Sequence, residues 1–225
     1  MDVAAHEAPV TSLFRAAGPR SPPARPRARG FHGEGEIELA ATTDGRIFDY
    51  DLRIADDAGN AMPDGAEGEI TVRGPALFLG YADAAQTAEA FDAHGFFHTG
   101  DLGVAAGEAL TVTGRKKDLI IRGGENLSPK EIEDVLHTHP AVREAAVVSM
   151  PHPRLGEGVW AYVIADGAPP TLAALLEHCV AAGLAKQKAP ERLEIVADLP
   201  RTASGKVRKD LLRKDIAARI AADGK

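Results

Sequence analysis

The chain has 225 residues, 44% of them hydrophobic and 26% charged, with a formal charge of −7 and a single cysteine, Cys179. This supports one or two compact globular domains. It excludes an internal disulfide or a multi-cysteine metal site and provides no basic element for nucleic acid beyond the first thirty residues. No apolar run reaches the roughly 18 residues that span a bilayer and no signal-peptide core is present, so the expected location is the reducing cytoplasm.

Residues 1–35 carry no core pattern. From Pro19 to Gly30 proline and arginine alternate, and no apolar side chain exceeds alanine, so burial cannot offset the entropy of ordering. The expectation is a disordered tail or a truncation scar. A β-rich unit is expected over 36–113, because Glu69–Arg73 and Leu110–Thr113 alternate apolar and polar residues between Gly- and Pro-containing turns. Within it, Ala84, Thr87, Ala88 and Phe91 recur at helical spacing.

From Gly114 to Lys225 the pattern becomes a compact α+β domain. Ser128-Pro129-Lys130-Glu131 reads as a helix start, with Ser128 as cap, Pro129 in the first turn and Glu131 closing a capping box. Ile132, Val135 and Leu136 form its apolar face, and Pro140 marks its exit. Strands are expected at 145–149 and 160–164, then a helix capped by Thr171 with Leu172, Leu175, Leu176 and Cys179 inward and Gly183 as its stop. A strand at 193–196 and a helix from about Val207 to Ala222, with Leu212, Ile216 and Ile220 spaced by four, complete the order.

Three segments stand apart from this packing pattern and read as loops: Thr99-Gly100-Asp101, Gly114–Asn126, and Pro200–Lys206. Each sets charge beside glycine between apolar strands. Glycine lets backbone N–H groups approach a ligand, a fixed carboxylate can accept from vicinal hydroxyls, and a lysine can neutralise phosphate. The combination points to a nucleotide. Ser204-Gly205-Lys206 is not a P-loop, because Pro200 stands where the first glycine is required and Val207 follows the lysine. His137 and His139 are two apart at a helix end, unlike the i, i+4 spacing of paired metal ligands. Cys179 shares the apolar face of Leu172, Leu175 and Leu176, which marks it as core.

Taken in order, Thr43-Asp-Gly-Arg46, Gly68-Glu-Ile-Thr-Val-Arg-Gly74, Leu79-Gly-Tyr81, Thr99-Gly-Asp101 and the two longer loops closely resemble the adenylate-forming superfamily of acyl-CoA synthetases, peptide-synthetase adenylation domains and luciferases. The resemblance runs from about Thr43 to Arg213. It implies a small β-rich, distorted barrel-like subdomain, the remnant of a large N-terminal domain, followed by a mobile α+β C-terminal domain. It also implies an AMP-forming ligation of a carboxylic acid to coenzyme A, with ATP, CoA and Mg as cofactors.

On matching positions the resemblance makes Asp101 the acceptor of the ribose hydroxyls, assisted by Arg115. It makes Lys117 the hinge of domain rotation, and Gly123 and Gly124 the lining of the pantetheine channel. Lys206 becomes the lysine that bridges the attacking carboxylate and the α-phosphate. The bland alternatives are a turn cap at Asp101, solvated lysines at 117 and 206, and a simple turn at 123–124. Details such as Ile120-Ile-Arg-Gly-Gly-Glu-Asn126 resemble CoA ligases for fatty or alicyclic acids more than carrier-protein adenylation domains. One departure is Gly107-Glu108-Ala109, where many relatives carry an aromatic. The phosphate-gripping loop, the acidic motif associated with magnesium and the acyl pocket have no match in 1–42, so the expectation is a truncated ligase served by a separate N-terminal domain. The alternatives are a non-catalytic module binding CoA or a protein partner, and the product of an incomplete reading frame.

Overall fold

The computed structural model describes residues 43–46, 50–75, 77–78 and 80–223; the expected tail at 1–35 and Leu79 lie outside them. The chain divides into two compact units between Lys116 and Lys117. The division falls after β5 rather than at Gly114, because Gly114 and Arg115 are still paired in the first sheet, opposite Leu102 and Asp101.

The first unit holds β1 (Gly45–Arg46), β2 (Asp51–Ala55), β3 (Glu67–Arg73), α1 (Ala84–Ala90), β4 (Phe97–Ala106) and β5 (Ala109–Arg115). The strands pair antiparallel in the order β1-β5-β4-β3-β2. Ile54, Ile70, Val72 and Leu110 are buried together, with Leu52, Met62, Phe97 and Val112 packed against them. Among the described residues β1 and β2 are the outer strands, so this sheet is open and the barrel-like expectation is corrected. The β1 strand pairs only Gly45 and Arg46 with Leu110 and Ala109, too short a ladder to carry closure. Asp83 caps α1 by accepting from the Ala85 N–H at 2.8 Å. Phe91 falls just past the helix and packs its ring on Phe78 and Phe97.

A 3₁₀ turn at Lys116–Asp118 leads into the second unit. There follow β6 (Ile120–Arg122), β7 (Glu125–Leu127), α2 (Pro129–His137), β8 (Val142–His152), β9 (Gly156–Ala165), α3 (Leu172–Ala181), a second 3₁₀ turn, β10 (Arg192–Ile195) and α4 (Lys209–Asp223). The α+β class is as expected. Strand β9 is central: it pairs antiparallel with β8 from Gly156 to Ala165, parallel with β10, and touches β6 at Gly156. Both of its faces are covered, which explains the unbroken apolar run Val159–Ile164. Val159, Ala161 and Val163 face α2 and α3 through Ile132, Leu136, Leu175 and Cys179. Trp160, Tyr162 and Ile164 face α4 through Leu212 and Ile216.

The helix starts follow their sequence signals. The Ser128 hydroxyl accepts from the Glu131 N–H, with Pro129 in the first turn, and the Thr171 hydroxyl accepts from the Ala174 N–H at 3.2 Å. The last helix starts two residues later than expected, because Val207 is used in a bridge to Arg201 that closes the preceding turn. Ile220 is not core but 38% exposed. Steps of four drift about 40° each on a 3.6-residue helix, so Ile220 sits roughly 80° from Leu212.

The buried Tyr162 hydroxyl donates to Asp215 on α4 at 2.7 Å, and Arg219 pairs with the same carboxylate oxygen at 2.6 Å. Both partners, the tyrosine first, hold the Asp215 pKa below its ordinary 3.8. Stability from this contact is therefore complete above the unfolded value and lost as pH falls through the lower folded one. Tyr162→Phe is expected to destabilise the second unit by about 1 kcal/mol at pH 7, a figure discounted for the part-exposed carboxylate. Urea unfolding of both proteins between pH 7 and pH 2 should show the difference shrink at the acid end.

Candidate functional site

The Thr99-Gly100-Asp101 segment is not a loop. It lies inside β4, where the pairing with β3 slips between Glu69 and Thr71 and the pairing with β5 slips after Leu102. Such bulges re-aim side chains without breaking a strand. Three contacts fix this one. The Thr99 hydroxyl donates to the Ile70 carbonyl at 2.6 Å, the Asp101 N–H donates to the Thr99 hydroxyl at 3.1 Å, and the Gly100 N–H donates to the Glu69 carboxylate at 3.1 Å.

Asp101 is thereby held opposite Arg115 on β5, and the Arg115 Nε meets its carboxylate at 2.7 Å. The Asp101 side chain is only 4% exposed, that of Arg115 27%. A carboxylate taken out of water needs a partner to offset the lost solvation, and the Arg115 guanidinium supplies one. The structure thus brings together two of the residues singled out in the sequence.

It adds a third that the sequence reading passed over. Glu69 is 7% exposed, and besides the Gly100 amide it faces His98 at 3.2 Å and Lys116 at 3.3 Å. Lys116 also reaches Asp57 at 2.9 Å. That contact first, with Glu69 adding to it, raises the Lys116 pKa above the ordinary lysine value against the cost of burial. In the sequence Glu69 is one letter of a strand motif; in the structure it and Thr71 lie on a buried side of β3.

In the second unit, the segment read as a loop from Gly114 to Asn126 is largely ordered. Ile120–Arg122 and Glu125–Leu127 form a hairpin in which Arg122 faces Glu125 across Gly123-Gly124. Both glycines have positive φ, 59° and 88°, as a two-residue primed turn requires. A Cβ at Gly124 would meet nothing within 4 Å, so backbone conformation alone already calls for glycine here. Arg122 anchors the hairpin by donating to the Gln187 carbonyl at 3.1 Å and pairing with Glu191 at 3.0 Å. These residues border a groove of about 530 Å³ floored by Leu172, Leu176 and Ala189.

Pro200–Lys206 is a tight turn. The Thr202 N–H donates to the Lys206 carbonyl at 2.8 Å, the Gly205 N–H to the Thr202 carbonyl at 2.9 Å, and the Lys206 N–H to the Thr202 hydroxyl at 3.1 Å. Arg201 braces it through the Gly205 carbonyl at 3.0 Å and an ion pair with Glu144. Lys206 is exposed, and its ammonium makes no hydrogen bond or ion pair among the described residues. A fixed backbone therefore carries a long cation that can reach outward. Lys117 opens the second unit directly at the division.

The residues set aside in the sequence have structural places. His137 accepts from the Ala145 N–H at 3.0 Å and His139 from the Ala141 N–H at 3.1 Å. Cys179 is fully buried, and burial pushes its thiol pKa up. Among the described residues no group of three or more His, Cys, Asp or Glu side chains is arranged to hold a metal ion, and no helix is long and apolar enough to cross a membrane.

Comparison with known proteins bears directly on this arrangement. Residues 131–206 match the AMP-binding enzyme C-terminal domain. The chain is 45% identical over 180 residues to the medium-chain fatty-acid–CoA ligase of Escherichia coli K12, covering 77% of this chain and 31% of that protein. Among solved structures, ATP-bound MatB of Rhodopseudomonas palustris superposes with a TM-score of 0.72 at 40% identity, covering 77% of this chain and 35% of the other. The amide bond synthetase McbA of Marinactinospora thermotolerans gives a TM-score of 0.72 at 37% identity, covering 77% and 36%. The chain thus spans about a third of the length of the relatives it matches. With the Asp101–Arg115 pair, the glycine hairpin and the Lys206 turn in family order, it belongs to the adenylate-forming superfamily, of which it carries a C-terminal portion.

Proposed function

We propose that this chain supplies the ribose-binding strand, the hinge and the mobile C-terminal unit of an AMP-forming acyl-CoA ligase, which converts a carboxylic acid, ATP and CoA into acyl-CoA, AMP and pyrophosphate. The observation that carries the proposal is the buried Asp101 carboxylate, fixed by a bulge and by Arg115 at 2.7 Å. An ionised, immobile acceptor of this kind suits two vicinal hydroxyls, because charge-assisted hydrogen bonds are the stronger ones. Lys206, on its braced turn, neutralises the charge that grows between the attacking carboxylate and the α-phosphate. Lys117 is the point about which the second unit turns between adenylation and thiol transfer. Gly123 and Gly124 then leave the pantetheine route open.

Adenylation also needs groups to hold the β- and γ-phosphates, magnesium and the acyl chain. These reside in the two-thirds of the relatives' length that this chain does not span, on the same polypeptide or on a separate N-terminal domain. The named relatives include a fatty-acid–CoA ligase, which favours a fatty acid and CoA as substrates.

The test is carboxylate-dependent exchange of labelled pyrophosphate into ATP, with the chain joined to or mixed with a compatible large domain. Exchange is expected with medium-chain acids, and its absence across a panel of carboxylates would overturn the reading. Lys206→Ala should lower exchange on the order of 10²–10³-fold, as loss of one preorganised donor does, and should leave the melting temperature unchanged because the side chain is exposed.

Two carboxylate variants separate binding from scaffolding. Asp101→Ala should weaken AMP binding by roughly tenfold or more, the equivalent of one charged hydrogen bond. Glu69→Ala should weaken it too, and should also cost about 1–3 kcal/mol of stability by leaving the Gly100 amide and Lys116 without their shared acceptor. Calorimetric titration with AMP and urea unfolding read the two effects independently.

A further inference from the structure

The turn that carries Lys206 is tied to the rest of the second unit at both of its ends. At its start, the Arg201 guanidinium pairs with Glu144 on β8. Three residues past Lys206, at the first residue of α4, the Lys209 ammonium meets the Glu133 carboxylate of α2 at 2.8 Å, and these two side chains are only 18% and 16% exposed. Between the ties the turn is closed, because the Arg208 N–H donates to the Pro200 carbonyl at 2.7 Å and Val207 bridges to Arg201.

Glu133 is itself fixed. Among the described residues β8 pairs with β9 alone, and α2 covers the other edge of β8 with side chains: the Val147 N–H donates to Glu133 at 2.7 Å and the Ala145 N–H to His137 Nε2 at 3.0 Å. Acceptors four residues apart on a helix are separated by about 6 Å along its axis, and two amides on the same edge of a strand by about 6.6 Å, so both contacts form together. The oxygen that takes the Val147 amide, Glu133 Oε1, is the one that meets Lys209. That carboxylate therefore transmits the position of the sheet to the start of α4, and so to the turn before it.

A lysine that neutralises charge on a reacting group must start from the right place, since a misplacement of about 1 Å can cost on the order of 10²-fold in rate. We propose that Glu133 and Lys209 are positioning residues for the Lys206 turn, their ion pair setting the point from which the Lys206 side chain extends. This rests on the adenylation role given to Lys206 above and goes beyond it by assigning the groups on α2 and α4 that place it.

The test is pyrophosphate exchange with the chain joined to a compatible large domain. Glu133→Gln keeps an oxygen for the Val147 amide and removes the charge facing Lys209; Lys209→Met keeps the stem and removes the ammonium. Each should lower the maximal exchange rate roughly ten- to hundredfold with the half-saturating ATP concentration unchanged, and the double variant should cost no more than either alone, because both break one pair. Lys209→Arg, which keeps a cation, should recover most of the rate. In a Lys206→Ala background neither substitution should lower exchange further, since no ammonium is left to place. Amide hydrogen exchange at 202–206 in Lys209→Met should accelerate roughly two- to fivefold, the scale of one ion pair.

An equal further loss in the Lys206→Ala background overturns the proposal, because the pair then acts through folding in general. An active wild type whose exchange rate, or whose amide protection at 202–206, is indifferent to Lys209→Met overturns it as well and leaves the role of Lys206 standing. A wild type that supports no exchange with any carboxylate overturns the adenylation reading, and the proposal falls with it.

Discussion

The first unit depends on one carboxylate in an interior position. Glu69 has given up nearly all its contact with water, a cost of several kcal/mol unless donors replace it. The Gly100 amide and Lys116 replace it, with His98 beside them. Because those donors come from β4 and from the end of β5, satisfying the charge also fixes where the β4 bulge falls. The bulge decides that Asp101 stands opposite Arg115, so one buried acid is placed with the help of another. The Thr99 hydroxyl repeats the logic on a smaller scale, donating to β3 and accepting from Asp101.

The second unit is built differently, around a sheet buried on both faces, since α2 and α3 pack on one side of β9 and α4 on the other. The functional groups then sit on short turns tied to this body. The Gly123-Gly124 turn is fastened by Arg122 and by the Gly123 N–H, which donates to the Leu155 carbonyl at 2.8 Å. The Lys206 turn is fastened by Thr202 and Arg201. The Lys206 side chain itself is exposed beyond this braced turn.

Much of this was legible because local chemistry and packing agree. The Ser128-Pro129 start, the Thr171 cap and the Gly183 stop fall where the side chains say they should, and Ile132, Leu136, Leu175 and Cys179 point to the core as spaced, whereas Leu172 lines the groove instead. The hairpin at 120–127 was missed because its strands are three residues long and carry Arg122, Glu125 and Asn126, so period-2 alternation has no length in which to appear. Thr99–Asp101 looked like a loop because glycine and aspartate are turn residues, whereas tertiary pairing carries the strand through them. Burial of Glu69 is not legible because alternation within Glu69–Arg73 assigns an acid to the wet face, whereas Thr71 on the same side of β3 is buried too.

These features also limit what this portion can decide about the reaction. The chain is similar to a fatty-acid–CoA ligase and, nearly as closely, to an amide bond synthetase, so its framework is compatible with more than one acceptor. The glycine hairpin illustrates why. Positive φ at both positions requires Gly123 and Gly124 for the turn itself, whatever nucleophile passes, and their presence therefore does not discriminate a thiol from an amine. On the reading proposed above, Asp101, Arg115 and Lys206 address the ribose and the phosphate side of the adenylate, which every acceptor shares. Selection of acid and acceptor must then arise where their differing atoms are touched, at the acyl pocket and along the acceptor's path. What the described residues supply is a buried, arginine-paired carboxylate in one unit and a positive-φ glycine turn and an exposed lysine in the other.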